Sequence, residues 1–323
     1  MPENKYLTSW AVLSFGHIVN GGEFELPCLD FSRQCLRVRF SVSHSTFYEY
    51  AQPASESVAE LRLCPLSGDY QRVFSRELSI DPEVPVGDFE DFWGNTVEYF
   101  AIPFRHSSLK IHSSSVVETS AQEEVAYCAK VTVAEARQIT SRASMKAIDF
   151  RRPTRLVPIG SVLRGLNERF IRSEASLVES ALFVNEWIYS NFEYDPDVTD
   201  ISTPLETVVQ MKKGVCQDFA HVMLSIFRTG GIPARYVSGY IEHVDPTQPG
   251  SELVGAAASH AWVEVYLPGD RWWGLDPTNN QVVGERHIRV ATGRDYHDVA
   301  PFRGTFRGAA QQDLEVAVEI TRV

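Results

Sequence analysis

From Leu36 the chain alternates: LRVRFSV puts Leu36, Val38, Phe40 and Val42 on one side and Arg37, Arg39 and Ser41 on the other. Successive side chains of a strand point to opposite faces, so this period of two predicts a half-buried β-strand. The same period returns in RVFSRELSI, TVEYFAI and SLKIHS, and turn-rich stretches such as DPEVPVGD and WGN separate the runs. Glycine and proline punctuate strands in this way. Residues 36–118 are therefore expected to form an all-β domain, a sandwich. Its histidines, His44, His106 and His112, sit singly in strand patterns and are expected as solvated or strand-facing side chains, with no catalytic constellation around them.

The texture changes near Ala121, where AQEEVAYCAKVTVAEARQITSRASMKAI is rich in helix formers. Residues 119–172 are expected to be a helical connector. SLVESALFVNEWIYSNF then places Leu177, Ala181, Val184 and Ile188 at helical spacing, and Asp195-Pro196 ends the pattern. This helix leads into a second domain, 173–323, and a chain of 323 residues has room for both. Residues 1–35 lack a clear period and remain an unassigned extension.

Composition removes several function classes. A formal charge of −12 without a Lys/Arg cluster gives nothing to neutralise phosphates, so no nucleic-acid partner is expected. The stretch from Leu7 to Val19 is too short to span a bilayer and lacks a basic n-region and an A-x-A site. A cytoplasmic protein with no membrane partner is the expectation. Five cysteines, Cys28, Cys35, Cys64, Cys128 and Cys216, form no C-x-x-C pair, which argues against a disulfide scaffold and a structural zinc site. His221, His243, His287 and His297 offer no pair with ligand spacing on one helix, so neither a metal nor an organic cofactor is expected.

One cysteine has distinctive surroundings. In KGVCQDFA, Cys216 follows a glycine-led turn, and Ala220, Met223, Leu224, Ile226 and Phe227 then recur at helical spacing until Gly230-Gly231. Cys216 is thus expected at a helix N-terminus, where unpaired N–H groups and the dipole favour a thiolate and can bind an oxyanion. Such a nucleophile needs an imidazole, and the imidazole an orienting carboxylate. Downstream, SHAWVEVYLPGDRWWGLDPTNN opens an alternating strand with His260, Trp262, Glu264 and Tyr266 on one face. PGD turns the chain, and RWWGLD brings Asp276 back to the end where His260 began. Pairing Leu267 with Arg271 would set His260 opposite Thr278 and put Asp276 on the His260 face, as its diagonal neighbour.

GVCQDFAHVMLSIFRTGGIPARYVSGY, SHAWVEVYLPGDRWWGLDPTNN and RHIRVATGRDYHDVAPFRGTFRG resemble the bacterial transglutaminase-like enzymes, often described as cysteine proteases, with a papain-like Cys-His-Asp core. The segment from HSTFYEYAQPASESVAELRLCP through DFWGNTVEYF is similar to the N-terminal domain of that bacterial subgroup. The resemblance covers roughly residues 36–323. It implies an α+β chain, a β-sandwich followed by a papain-like transglutaminase core, with Cys216 as nucleophile, His260 as general base and acid, and Asp276 as orienter. It also implies acyl transfer from amides of a peptide or protein through a Cys216 thioester, ending in hydrolysis. The alternatives are a protein-glutamine transglutaminase with an amine acceptor and a catalytically silent peptide-binding module. Tyr194 or Gln210 is expected as a second oxyanion donor, Trp262 and Tyr266 as core aromatics with an acyl-binding cleft as the alternative, and Asp218 as a dipole partner rather than a reactant.

Overall fold

The computed structural model describes residues 37–121, 128–140, 145–244, 252–255, 259–308 and 311–323, so the expectations for residues 1–35, including Cys28 and Cys35, lie outside the described residues. Strands β1 (Arg37–Ala54), β2 (Glu56–Leu61), β3 (Gln71–Asp81), β4 (Val86–Glu90), β5 (Thr96–Ile102) and β6 (His106–Ser120) follow one another without a helix between them, as the alternation predicts. They divide between two sheets. Tyr48, Tyr50, Leu109 and Ile111 of the first meet Ala59, Leu61, Phe100 and Ile102 of the second in one apolar layer.

The length of β1 has an architectural consequence. Its even-numbered residues from Val38 to Tyr50 are all buried, yet its 18 residues extend over roughly 60 Å, further than the sandwich alone needs. The far half of that face, Tyr48 and Tyr50, fills the sandwich. The near half, Val38, Phe40 and Val42, packs on Tyr240, Ile288 and Val290 of the second region. One pleated face thus serves two cores.

Helices α1 (Val133–Thr140), α2 (Met145–Asp149), α3 (Ser161–Phe170) and α4 (Leu177–Asn191) come next. Ser176 caps α4 by accepting a hydrogen bond from the Glu179 amide (3.3 Å), and the four positions expected inside, Leu177, Ala181, Val184 and Ile188, are buried. The stretch expected as a connector is part of the second core, since Cys128, Val133, Ala136, Phe170 and Ile171 pack in the same apolar cluster as Phe219 and Met223.

That core is built from β7 (Glu193–Tyr194), α5 (Leu205–Met211), β8 (Lys213–Gly214), α6 (Cys216–Thr229), β9 (Ala234–Ile241), β10 (His260–Leu267), β11 (Arg271–Asp276), β12 (Gln281–Val282) and β13 (His287–Gly293). The last five form an antiparallel sheet in the order β12-β11-β10-β9-β13. α6 covers the face that carries Ala261, Val263, Val265 and Leu267. After the short α7 (Tyr296–Val299), the chain leaves this core. β14 (Phe302–Arg307) pairs with β2, and β15 (Gln312–Arg322) pairs with β1 from Phe40 opposite Arg322 to Tyr50 opposite Gln312. The boundary 173–323 expected for the second domain therefore needs correction, because residues 302–322 complete the two sheets of the sandwich. An alternating strand goes where an open sheet edge can pair with it, and sequence neighbours do not decide which edge that is. The fold is α+β, a β-sandwich followed by a helix-on-sheet core. Among the described residues no helix is long and apolar enough to cross a membrane.

Candidate active site

Cys216 is the first residue of α6, after the N-cap Val215. The start of this helix is fixed by Asp218, whose Oδ2 accepts hydrogen bonds from the Val215 amide (2.9 Å) and from the Thr199 hydroxyl (2.7 Å). A Cβ at Gly214 would come within 2.5 Å of that same oxygen, so only glycine fits there. Burial pushes the Asp218 carboxyl up, against these hydrogen bonds. Asp218 is thus engaged in shaping the turn that presents Cys216, in keeping with the structural role expected for it.

The β10–β11 hairpin has the expected register. Leu267 is opposite Arg271 and Val263 opposite Leu275 around the three-residue PGD loop, in which Gly269 (φ 87°) and Asp270 (φ 59°) take left-handed backbone. His260 and Asp276 meet: Nε2 of the imidazole donates to Asp276 Oδ2 at 2.8 Å, with both side chains fully buried. The carboxylate has four further donors. Oδ2 also accepts from Asn279 Nδ2 (2.8 Å) and His287 Nε2 (3.3 Å), while Oδ1 accepts from the amides of Thr278 (3.0 Å) and Asn279 (3.3 Å). The Gly284 amide donates to His287 Nδ1 (3.4 Å), which places the His287 proton on Nε2.

The charges follow from this arrangement. Burial alone would raise the Asp276 carboxyl, but the charge and hydrogen bond of His260, backed by His287, hold it well below the usual carboxylate range. Burial likewise pushes His260 down. The charge and hydrogen bond of Asp276, then Cys216 on the other side of the ring, outweigh it and raise the imidazole to about 10. Nε2 is committed to Asp276, which leaves Nδ1 to serve Cys216. Nδ1 is buried and makes no hydrogen bond among the described residues, and such contacts are often loose before a substrate is bound.

Tyr194 is a neighbour of Cys216. It pairs with Gly214 in the parallel β7–β8 ladder, its ring meets Phe219 edge-on at 6.4 Å, and burial with the charge of Cys216 pushes its phenol up to about 12. Gln210 is exposed on α5. Trp262 and Tyr266, read as core aromatics or else as cleft residues, are both buried: Trp262 packs between His260 and His287, and Tyr266 donates to Asp270 Oδ1 (2.5 Å). The face they share with His260 is covered, so they do not line an open cleft. The other histidines have separate uses. His221 accepts from the Tyr296 amide (3.3 Å), His243 donates to the Leu253 carbonyl (2.7 Å), and His297 accepts from Arg155 (2.9 Å). Sequence reasoning missed Asn279 and His287 as partners of Asp276. The first had a local signal, since an Asp before Pro-Thr-Asn readily folds back on the next two amides; the second reads as one more strand residue.

Two family models match the chain: the transglutaminase-like superfamily core over residues 164–277 and the bacterial transglutaminase-like N-terminal region over residues 40–118. An uncharacterized protein of Mycobacterium leprae is 35% identical over 286 residues, covering 88% of this chain and 99% of its own length. A protein-glutamine gamma-glutamyltransferase of Pseudomonas aeruginosa is 39% identical over 75 residues, which is 23% of this chain and 11% of that protein. Among solved structures, one from Cytophaga hutchinsonii named "Putative Cysteine Protease" superposes with a TM-score of 0.71 at 21% identity, over 90% of this chain and 93% of that one, a likeness of fold. With both of its regions matched and a near full-length relative at this identity, the chain belongs to the transglutaminase-like superfamily.

Proposed function

We propose that the protein is a thiol-dependent acyltransferase that opens amide bonds of peptides or proteins through a Cys216 thioester, with water as the final acceptor. The observation that carries this reading is the buried 2.8 Å His260–Asp276 contact, which commits Nε2 and leaves Nδ1 for the cysteine at the start of α6. With the Cys216 proton already held at His260 Nδ1, the sulfur attacks the amide carbonyl carbon, and a C–S bond forms as the carbonyl oxygen takes up negative charge. The Cys216 amide at the helix N-terminus faces that charge. The C–N bond then breaks, and His260 returns the proton to the leaving amine. Water next attacks the thioester and gives a proton to His260, the C–S bond breaks, and the proton goes back to sulfur. Asp276 keeps the imidazole in the tautomer that both halves need.

Water is the simpler acceptor because hydrolysis needs no binding site for a second substrate. The 75-residue match to a protein-glutamine gamma-glutamyltransferase favours a second reading, in which a lysine amine replaces water. Incubation with a peptide mixture, with and without a primary amine, followed by mass spectrometry separates the two. New carboxyl termini or deamidated glutamines support hydrolysis, amine adducts support transfer, and an unmodified mixture with no adduct on Cys216 refutes acyl transfer.

A further inference from the structure

The segment from Leu253 to Gly255 lies against His260 and is fastened at two points. Leu253 is buried; its amide donates to the His243 carbonyl (2.9 Å) and its carbonyl accepts from His243 Nδ1 (2.7 Å). Val254 is gripped by one side chain: its amide donates to Asn279 Oδ1 (2.8 Å), and Asn279 Nδ2 donates to its carbonyl (3.2 Å), the pairing a neighbouring strand would make. The same Nδ2 donates to Asp276 Oδ2 at 2.8 Å. A single amide thus joins the carboxylate behind His260 to the segment in front of it.

What the grip holds in place is Gly255. Its φ of 92° lies in the left-handed region, and a Cβ there would stand 2.6 Å from His260 Nδ1 and 3.1 Å from Cε1. The His260 side chain is fully buried, Nδ1 included. We propose that Asn279 is a positioning residue: by clasping Val254 to the Asp276 carboxylate it seats Gly255 on His260 and seals Nδ1, so that the proton held there exchanges with the Cys216 sulfur and the leaving group rather than with bulk water. The inference rests on the proposed Cys216–His260 chemistry for its consequence in turnover, and on geometry alone for the seal. A mere turn cap at Asn279 would affect stability only.

The test follows the ring directly. In protein labelled with ¹⁵N-histidine, the imidazolium Nδ1–H of His260 is expected as a slowly exchanging low-field resonance at neutral pH, lost to water exchange in Asn279→Ala. Acylation of Cys216 by p-nitrophenyl acetate, read by intact mass, is expected to fall roughly 10–100-fold in the same variant, the size of a small misplacement of reacting groups. A wild-type spectrum without that resonance, or an Asn279→Ala protein that keeps both the resonance and the acylation rate while only its melting temperature falls, overturns the clasp. Should Asn279→Ala fail to fold, Gly255→Ala decides by the same two readouts, since it leaves every Asn279 bond in place. If the resonance responds as expected but wild type is never acylated at Cys216, the clasp stands and the acyl-transfer reading fails.

Discussion

Replacing Asp276 by asparagine removes one charge and almost no volume, and the surroundings predict its effects on both rate and stability. The carboxylate accepts five hydrogen bonds, three at Oδ2 and two at Oδ1. An asparagine whose oxygen keeps the two backbone amides turns its NH₂ toward Nε2 of His260, Nδ2 of Asn279 and Nε2 of His287. His260 can relieve this only by moving its proton to Nδ1, which makes that nitrogen a donor and disables it as a base for Cys216. His287 cannot follow, because its Nδ1 is already the acceptor for the Gly284 amide. Breaking a buried pair by removing one partner costs about 3–5 kcal/mol, on the order of 5–15 °C in melting temperature for a chain of this size. Turnover should fall by about 10³–10⁴-fold, the size expected when a triad imidazole is left in the wrong tautomer. The pH dependence supplies a further check. A folded-state imidazole raised from 6.5 to about 10 stabilises the protein fully below 6.5 and loses that contribution as pH rises through about 10. Thermal melts between pH 6 and 10.5 should therefore show a falling wild-type curve and a lower, flatter Asp276→Asn curve. Equal turnover and parallel melting curves would refute the reasoning.

Cys216→Ala should abolish acylation and turnover while leaving circular dichroism unchanged; Cys64→Ala and Cys128→Ala should keep the wild-type rate, and a C216A protein that turns over normally would end the thioester mechanism. Gln71→Ala strands the Arg289 amide and carbonyl that its side chain now serves (2.7 Å each), and Asn95→Ala does the same at Thr292 (2.7 and 2.9 Å), so each should cost about 1–3 kcal/mol in denaturant melts. Gly239→Ala would drive a Cβ into the Ile288 carbonyl and the Trp262 ring, and a loss of about 1–3 kcal/mol or more is expected, with an unchanged melting temperature counting against that packing.

Local signals made the reactive half of the site legible. Cys216 follows a glycine and opens a helical period, and the short PGD loop fixes the hairpin parity that puts Asp276 on the His260 face. Where the sequence misled, long-range covering was the cause. The polar alternation of His260, Trp262, Glu264 and Tyr266 suggests a wet face, yet every residue of β10 is buried. Glu264 tolerates this because Arg235 (Nε at 2.6 Å) and Arg289 neutralise it. Neither arginine is marked as its partner by spacing. The run DLEVAVEI at the C-terminus alternates as plainly as the strands near the N-terminus, but alternation states that a strand exists and is silent about which edge it joins. His287 lies eleven residues beyond Asp276 on a strand at the far edge of the sheet, so only the folded sheet brings the two together.

That far edge explains why the sandwich accompanies this core. β13 has β9 on one side only, and an open strand edge leaves backbone groups that must be satisfied elsewhere. The sandwich satisfies them with side-chain amides acting as pieces of a missing strand: Gln71 brackets Arg289 and Asn95 brackets Thr292, while the Thr119 hydroxyl donates to the Glu285 carbonyl (2.5 Å) two residues before His287. The C-terminal strand adds a bidentate pair from Arg322 to Glu242 (2.6 and 2.7 Å), directly before His243, which anchors Leu253. His287 at Asp276 and Gly255 at His260 are therefore both braced from the sandwich side. The imidazole sits between two supports that the catalytic sheet does not supply by itself, and the long inner face of β1, shared by both cores, keeps those supports in register with it.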